Sequence, residues 1–189
     1  MAEKSLPTSL LEIQSRAQQG EQFEFLFFWG HQLPKDGSVG QSCLSQWYPA
    51  PFQVDSIFYP TAEHWMMAEK ARLFGDEGSL EAIISASTPK QAKALGRKVK
   101  HFDHAIWSTH GRDIVARGNT AKFEQNKPMR EFLLTTVGKV IVESSPYDRI
   151  WGIGLRKNDQ RAEDPQKWLG QNLLGFALMD VRETLSSTS

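Results

Sequence analysis

The stretch Tyr59-Pro60-Thr61-Ala62-Glu63-His64-Trp65-Met66-Met67-Ala68-Glu69-Lys70-Ala71 constrains this chain most, because it marks where a helix starts and what its first turn carries. Thr61 can accept a hydrogen bond from an unpaired backbone N–H of the first turn. Pro60 biases the entering backbone away from helix and sharpens the boundary. Glu63 falls in the first turn, where the helix dipole favours a carboxylate that stays ionised by about 0.3–1 kcal/mol. Positions 63, 66, 67 and 70 share one face. The plain reading is a capped amphipathic helix, acidic in front and basic behind.

A chain of 189 residues is long enough to form one domain and bury about 70% of the surface its unfolded form exposes. Its 22 Lys and Arg balance 22 Asp and Glu, which argues against affinity built on neutralising many nucleic-acid phosphates. The single Cys43 excludes an internal disulfide framework and suits a reducing compartment. The N-terminus lacks a basic region followed by a long apolar run, and no stretch approaches the roughly 20 apolar residues that span a bilayer. The expectation is a cytoplasmic protein with no membrane partner.

Along the chain, residues 1–20 read as an N-terminal extension, with a short helix around Leu10, Leu11 and Ile13, and residues 21–189 as the domain. Phe23 to Trp29 is an aromatic run with strand alternation. Gly30, Pro34, Gly37 and Gly40 mark a loop. Phe52 to Phe58 is predicted as one short strand. After the Glu63 helix come a short helix from Leu80 to Ser85 and one capped by Thr88-Pro89 running to Val99. Asp103 caps a helix containing Trp107, and a separate helix runs from Arg112 towards Asn126, with Gly118 as its weak point. Pro128 opens a helix through Leu134, and Lys139 to Glu143 is a strand. Asp164-Pro165 is predicted to start the last helix, which reaches Leu185 ahead of a frayed tail at Ser186 to Ser189. Helices outnumber strands and do not alternate with them, so the fold class is α+β, a predominantly helical single domain with a few short strands.

Seven segments in order resemble the NADAR (YbiA-like) family of N-glycosidases. They are Leu44-Ser45-Gln46-Trp47-Tyr48, Thr61-Ala62-Glu63-His64-Trp65 with Lys70-Ala71, Ala94-Leu95-Gly96-Arg97 and Trp107. Then come Lys122-Phe123-Glu124-Gln125-Asn126, Asp148-Arg149-Ile150-Trp151-Gly152-Ile153-Gly154, and Trp168 to Gly175 with Leu178, Met179 and Arg182. The resemblance implies hydrolysis of an N-glycosidic bond to ribose without a cofactor. Its implied substrates are riboflavin-pathway phosphoribosylamino-pyrimidine intermediates, or ADP-ribose on guanine, including guanine in nucleic acid. Gln46 stands where the family more often has Asn, and the longer amide would shift a hydrogen bond in the pocket.

The residues fit such chemistry. Breaking a ribosyl C–N bond passes through an oxocarbenium-like state, which needs a carboxylate to stabilise charge or activate water, and help for the departing base. Glu63 and Asp148 are the expected catalytic carboxylates, acting as one non-additive unit. Asp148 also reads as an ordinary turn former after Pro146. Trp107 is expected to stack on the base or sugar, with a core role as the alternative. Gln46, Trp47, Lys70, Arg97, Asn126, Trp151, Gly152 and Asn172 complete the expected substrate contacts. For Arg97 the plain reading is a solvated helix end, against phosphate capture. His101, His104 and His110 match no zinc spacing, so no metal is expected. Gly152-x-Gly154 is too short for a dinucleotide fingerprint. The rival reading is a non-catalytic module that binds ADP-ribose or a nucleotide.

Overall fold

Five of the helices are opened by a side chain that accepts from the first turn: Ser9, Thr61, Asp76, Thr88 and Asp103. Each such cap is worth about 1 kcal/mol. The computed structural model describes residues 5–187. Among them are seven α-helices and four short strands. The fold is thus helix-rich α+β, as expected. The chain divides into two compact units, one of residues up to Trp29 and from Glu131 onwards, the other Gly30–Arg130.

In the first unit, β1 (Glu24–Phe28) pairs in parallel with β4 (Lys139–Glu143), Glu24 opposite Lys139 and Phe28 opposite Glu143. Val140, Ile141 and Val142 are wholly buried, the continuous apolar run expected of a strand covered on both faces. α7 (Leu173–Ser187) packs against β4. From it, the buried Arg182 donates to the carbonyls of Thr136 and Lys139 at 2.5 and 3.0 Å, fixing the turn that enters β4. α1 (Leu10–Gln18) forms within the stretch read as an extension; its Ile13 is fully buried, and Gln14 Nε2 donates to Pro165 O at 2.9 Å.

In the second unit, β2 (Phe52–Val54) and β3 (Ile57–Tyr59) form an antiparallel hairpin, where one strand was predicted. Its turn is Asp55-Ser56, both at positive φ (49° and 64°). That geometry matches the strand twist, but without an Asn-Gly or Asp-Gly pair the turn leaves little trace in sequence. α2 (Ala62–Leu73) carries Glu63, and α3 (Glu77–Ile84), α4 (Pro89–Gly96) and α5 (His104–Gln125) pack around it. The amphipathic reading of α2 therefore fails: every residue from Ala62 to Glu69 is buried, along with Ala71.

α5 is one 22-residue helix rather than two. A Cβ on Gly118 would lie 2.1 Å from Trp65 Cδ1, so the glycine is a notch for the indole. Trp65 Nε1 seats there and donates to Ile114 O at 2.8 Å. α6 (Lys127–Leu134) follows directly. The last helix starts later than predicted. Asp164-Pro165 opens only a 3₁₀ turn through Lys167; Trp168 is extended, Asn172 has φ 54°, and α7 begins at Leu173. Ser186 and Ser187 belong to α7, whereas Thr188 and Ser189 lie outside the described residues.

Candidate active site

Glu63 is 4% exposed in the first turn of α2. Two contacts place that turn. Thr61 caps His64 N, and Glu63 N donates to Gln46 O at 2.9 Å. Gln46 is itself buried; its Oε1 accepts from Asn119 Nδ2 at 2.8 Å and its Nε2 faces Met66 Sδ at 3.9 Å. The structure thus brings Gln46 and Glu63 together through the backbone, with the Gln46 amide oxygen already engaged.

Thr61 also meets the next residue, the fully buried His64, whose Nδ1 lies 2.8 Å from Thr61 Oγ1 and whose Nε2 lies 3.0 Å from Ala86 O. A neutral ring that donates to Ala86 and accepts from Thr61 satisfies both contacts. Burial pushes the His64 pKa below its ordinary value, the Ala86 carbonyl opposing more weakly. The unfolded chain therefore takes up a proton near pH 6.5 that the native chain refuses, so stability is lost as pH falls. The midpoint of urea unfolding should drop between pH 7.5 and 5.5, and drop less in His64→Gln. A wild-type midpoint that holds or rises on acidification, or an equal drop in both proteins, would contradict this.

Lys70, at the far end of α2, donates from Nζ to Gly96 O at 2.9 Å, sits 4.0 Å from the Phe102 ring centroid and 5.9 Å from that of Trp107. Partial burial lowers its pKa. Arg97, the residue after that carbonyl, is exposed. Lys70, Trp107 and the α4 end next to Arg97 are thus neighbours. Trp107 is half-buried and its companions from His101 to Ile106 are exposed. The ring lies against its own helix, where a Cβ on Gly111 would come within 3.1 Å of it. Trp107→Ala should weaken substrate binding about 5- to 150-fold, the range of a lost base stack of about 1–3 kcal/mol. Unfolding and affinity are to be measured on the same variant. Early melting with normal affinity in the folded protein would make Trp107 a packing residue. Trp47 is half-buried with the His31 ring 5.5 Å away and Lys93 Nζ 5.8 Å from its centroid.

Asp148 is half-buried in the first unit, and its Oδ1 accepts from Ile150 N at 2.9 Å and Trp151 N at 2.8 Å. The turn-forming reading is therefore realised. The other oxygen, Oδ2, makes neither of those bonds. The Asp148–Gly154 turn interlocks with the 169–174 segment through main-chain bonds, among them Gln171 N to Arg149 O at 3.0 Å and Leu174 N to Trp151 O at 3.1 Å. Gly152, expected to touch substrate, is where the turn folds tightly onto the end of β4: a Cβ there would stand 2.8 Å from Glu143 O and 3.2 Å from Asp148 O.

Asn172 and Asn126 also hold backbone. Asn172 is fully buried, donating to Ile141 O at 2.9 Å and accepting from Glu143 N at 3.0 Å, which takes it into the strand edge and not towards a pocket. Asn126 Nδ2 donates to Pro51 O at 3.0 Å and Lys122 O at 2.8 Å, closing the end of α5.

Two residues outside the predicted set stand out. Asn119 and Lys122 are both 0% exposed. Lys122 Nζ donates to Cys43 O at 2.6 Å and Ser45 O at 3.0 Å, and burial brings its pKa down to about 8. Asn119 Oδ1 is buried without a hydrogen-bond partner. Their spacing was informative. Gly111, Ile114, Val115, Gly118, Asn119, Lys122 and Phe123 form a helical stripe, and two polar residues fall on it.

A cleft of about 420 Å³ in the second unit is lined by residues including Glu69, Arg72, His110 and Arg117; one of about 480 Å³ in the first unit lies by Glu21, Phe25 and Asp164. Neither is lined by a predicted site residue. Among the described residues no cluster of three His, Cys, Asp or Glu could hold a metal ion, and no helix is long and apolar enough to cross a membrane.

The model of the NADAR domain family matches residues 27–186. A protein of Acanthamoeba polyphaga mimivirus named as an N-glycosidase is 41% identical over 165 residues, covering 85% of this chain and 95% of that protein. N-glycosidase YbiA of Escherichia coli (strain K12) is 32% identical over 136 residues, 72% of this chain and 76% of that protein. The NMR structure of the E. coli protein YbiA superposes with a TM-score of 0.67 at 27% identity, covering 97% of this chain and 95% of that one. The chain belongs to the NADAR domain family.

Proposed function

We propose that this protein is an N-glycosyl hydrolase that cleaves the bond between ribose and a base in a phosphate-bearing substrate. The observation that carries the reading is Glu63, a carboxylate 4% exposed in the first turn of a capped helix. A carboxylate held so is preorganised to face positive charge developing at an anomeric carbon. The names of the similar proteins support the same activity. Lys70 and Arg97, at adjoining ends of α2 and α4, supply positive charge for a phosphate, and Trp107 beside Lys70 offers a face for the base. Asp148 is the other candidate carboxylate, its Oδ2 making neither of the turn's bonds. The substrate classes are phosphoribosylamino-pyrimidines and ADP-ribosylated guanine, the latter free or in nucleic acid.

The test is chromatographic detection of free base from a panel of those compounds, with unmodified nucleotides as controls. Release from one class and not the controls identifies the substrate. Tight binding of ADP-ribose or nucleotide with no release from any member would replace this reading with the binding module.

A further inference from the structure

The Lys122-Phe123-Glu124-Gln125-Asn126 segment is fastened to residues 43–53 at three points. Lys122 holds the carbonyls of Cys43 and Ser45. Gln125 pairs both ways with the Gln53 backbone, accepting from N at 2.9 Å and donating to O at 2.8 Å. Asn126 holds Pro51 O. Of these, only the lysine is fully buried and charged.

A buried ammonium is costly unless its protons are matched, and a side chain used only for packing would do better as Met or Leu. Here the ammonium draws together two carbonyls that flank Leu44, where an amide dipole alone would leave them to repel. The next residue is Gln46, whose own carbonyl receives the Glu63 amide. One turn earlier on the same face of α5, Asn119 fixes the Gln46 side chain. The contacts run from Lys122 through the Cys43–Ser45 carbonyls and Gln46 to the first turn of α2.

We propose that Lys122 is a positioning residue: its ammonium sets the Cys43–Gln46 backbone, and that backbone sets where Glu63 stands. The role in catalysis rests on the reading of Glu63 above; the role in placing the α2 turn does not.

Two readouts test it on the full chain. Lys122→Met keeps the stem and removes the donors. Exchange of the Glu63 amide with deuterium should rise at least about tenfold, while the amides of Val140 to Val142 hold their rates. With the substrate identified by the panel, kcat should fall about 10- to 100-fold with KM nearly unchanged, as for a misplaced catalytic group. Gln125→Ala, which loosens a different fastening of the same helix, should leave Glu63 exchange as it is. If Lys122→Met does not fold, Lys122→Gln, with one shorter donor, is measured in its place, with the same direction expected. Unchanged Glu63 exchange in the folded variant overturns the proposal, as does a kcat that holds while only stability drops. A wild-type protein that releases no base refutes the enzyme reading alone, since the exchange result still decides whether Lys122 positions the turn.

Discussion

Glu63→Gln is expected to lower turnover about 10²- to 10⁴-fold, the range for removing one positioned charged group from a reaction with a cationic transition state. The amide keeps the size of the side chain and stays in the first turn behind Thr61. The interaction of the carboxylate with the helix dipole, about 0.3–1 kcal/mol, is lost. Circular dichroism and urea unfolding should therefore report a folded protein close to wild type. Asp148→Asn is the companion measurement. It retains the acceptor for Ile150 N and Trp151 N, so the turn persists, and a large loss of turnover isolates the charge from the turn. Near-normal kcat in Glu63→Gln would remove Glu63 from the chemistry. Near-normal kcat in Asp148→Asn would leave Asp148 as a turn former.

Asn172→Ala should destabilise the protein by about 3–5 kcal/mol, a large part of the stability of a domain of this size. The change strands Glu143 N–H and Ile141 C=O at the buried edge of β4, at about 1–3 kcal/mol each. It also puts alanine at φ 54°, which costs an ordinary L-residue about 1–2 kcal/mol. Asn172→Gly removes the second cost and retains the first, so it should recover only about 1 kcal/mol. Urea unfolding at neutral pH measures all three. A stable Asn172→Ala with a raised KM would return the residue to the substrate.

Arg97 and Asn126 show the same division from opposite sides. Both lie in segments that match the family, and the sequence assigned both to substrate. Arg97 is exposed and free to serve a phosphate beside Lys70. Asn126, one residue beyond α5, has spent both amide protons on Pro51 O and Lys122 O. A motif names the residue that matters and is silent on the partner it meets.

What the sequence by itself determined is local: the caps at Thr61, Thr88 and Asp103, the strands within Phe23 to Trp29 and at Lys139 to Glu143, and the place of Glu63 at a helix start. Capping and alternation act over a few residues, so propensity and spacing carry them. Only the tertiary structure decided that α2 is buried on every side, that Gly118 is a notch for Trp65 and not a helix break, and that Asn172 clamps a strand. It alone revealed that Lys122 reaches back 79 residues to Cys43. Those outcomes turn on contacts between residues far apart in the chain. Burial changes what a side chain costs and whom it can meet, and helical period alone specifies neither.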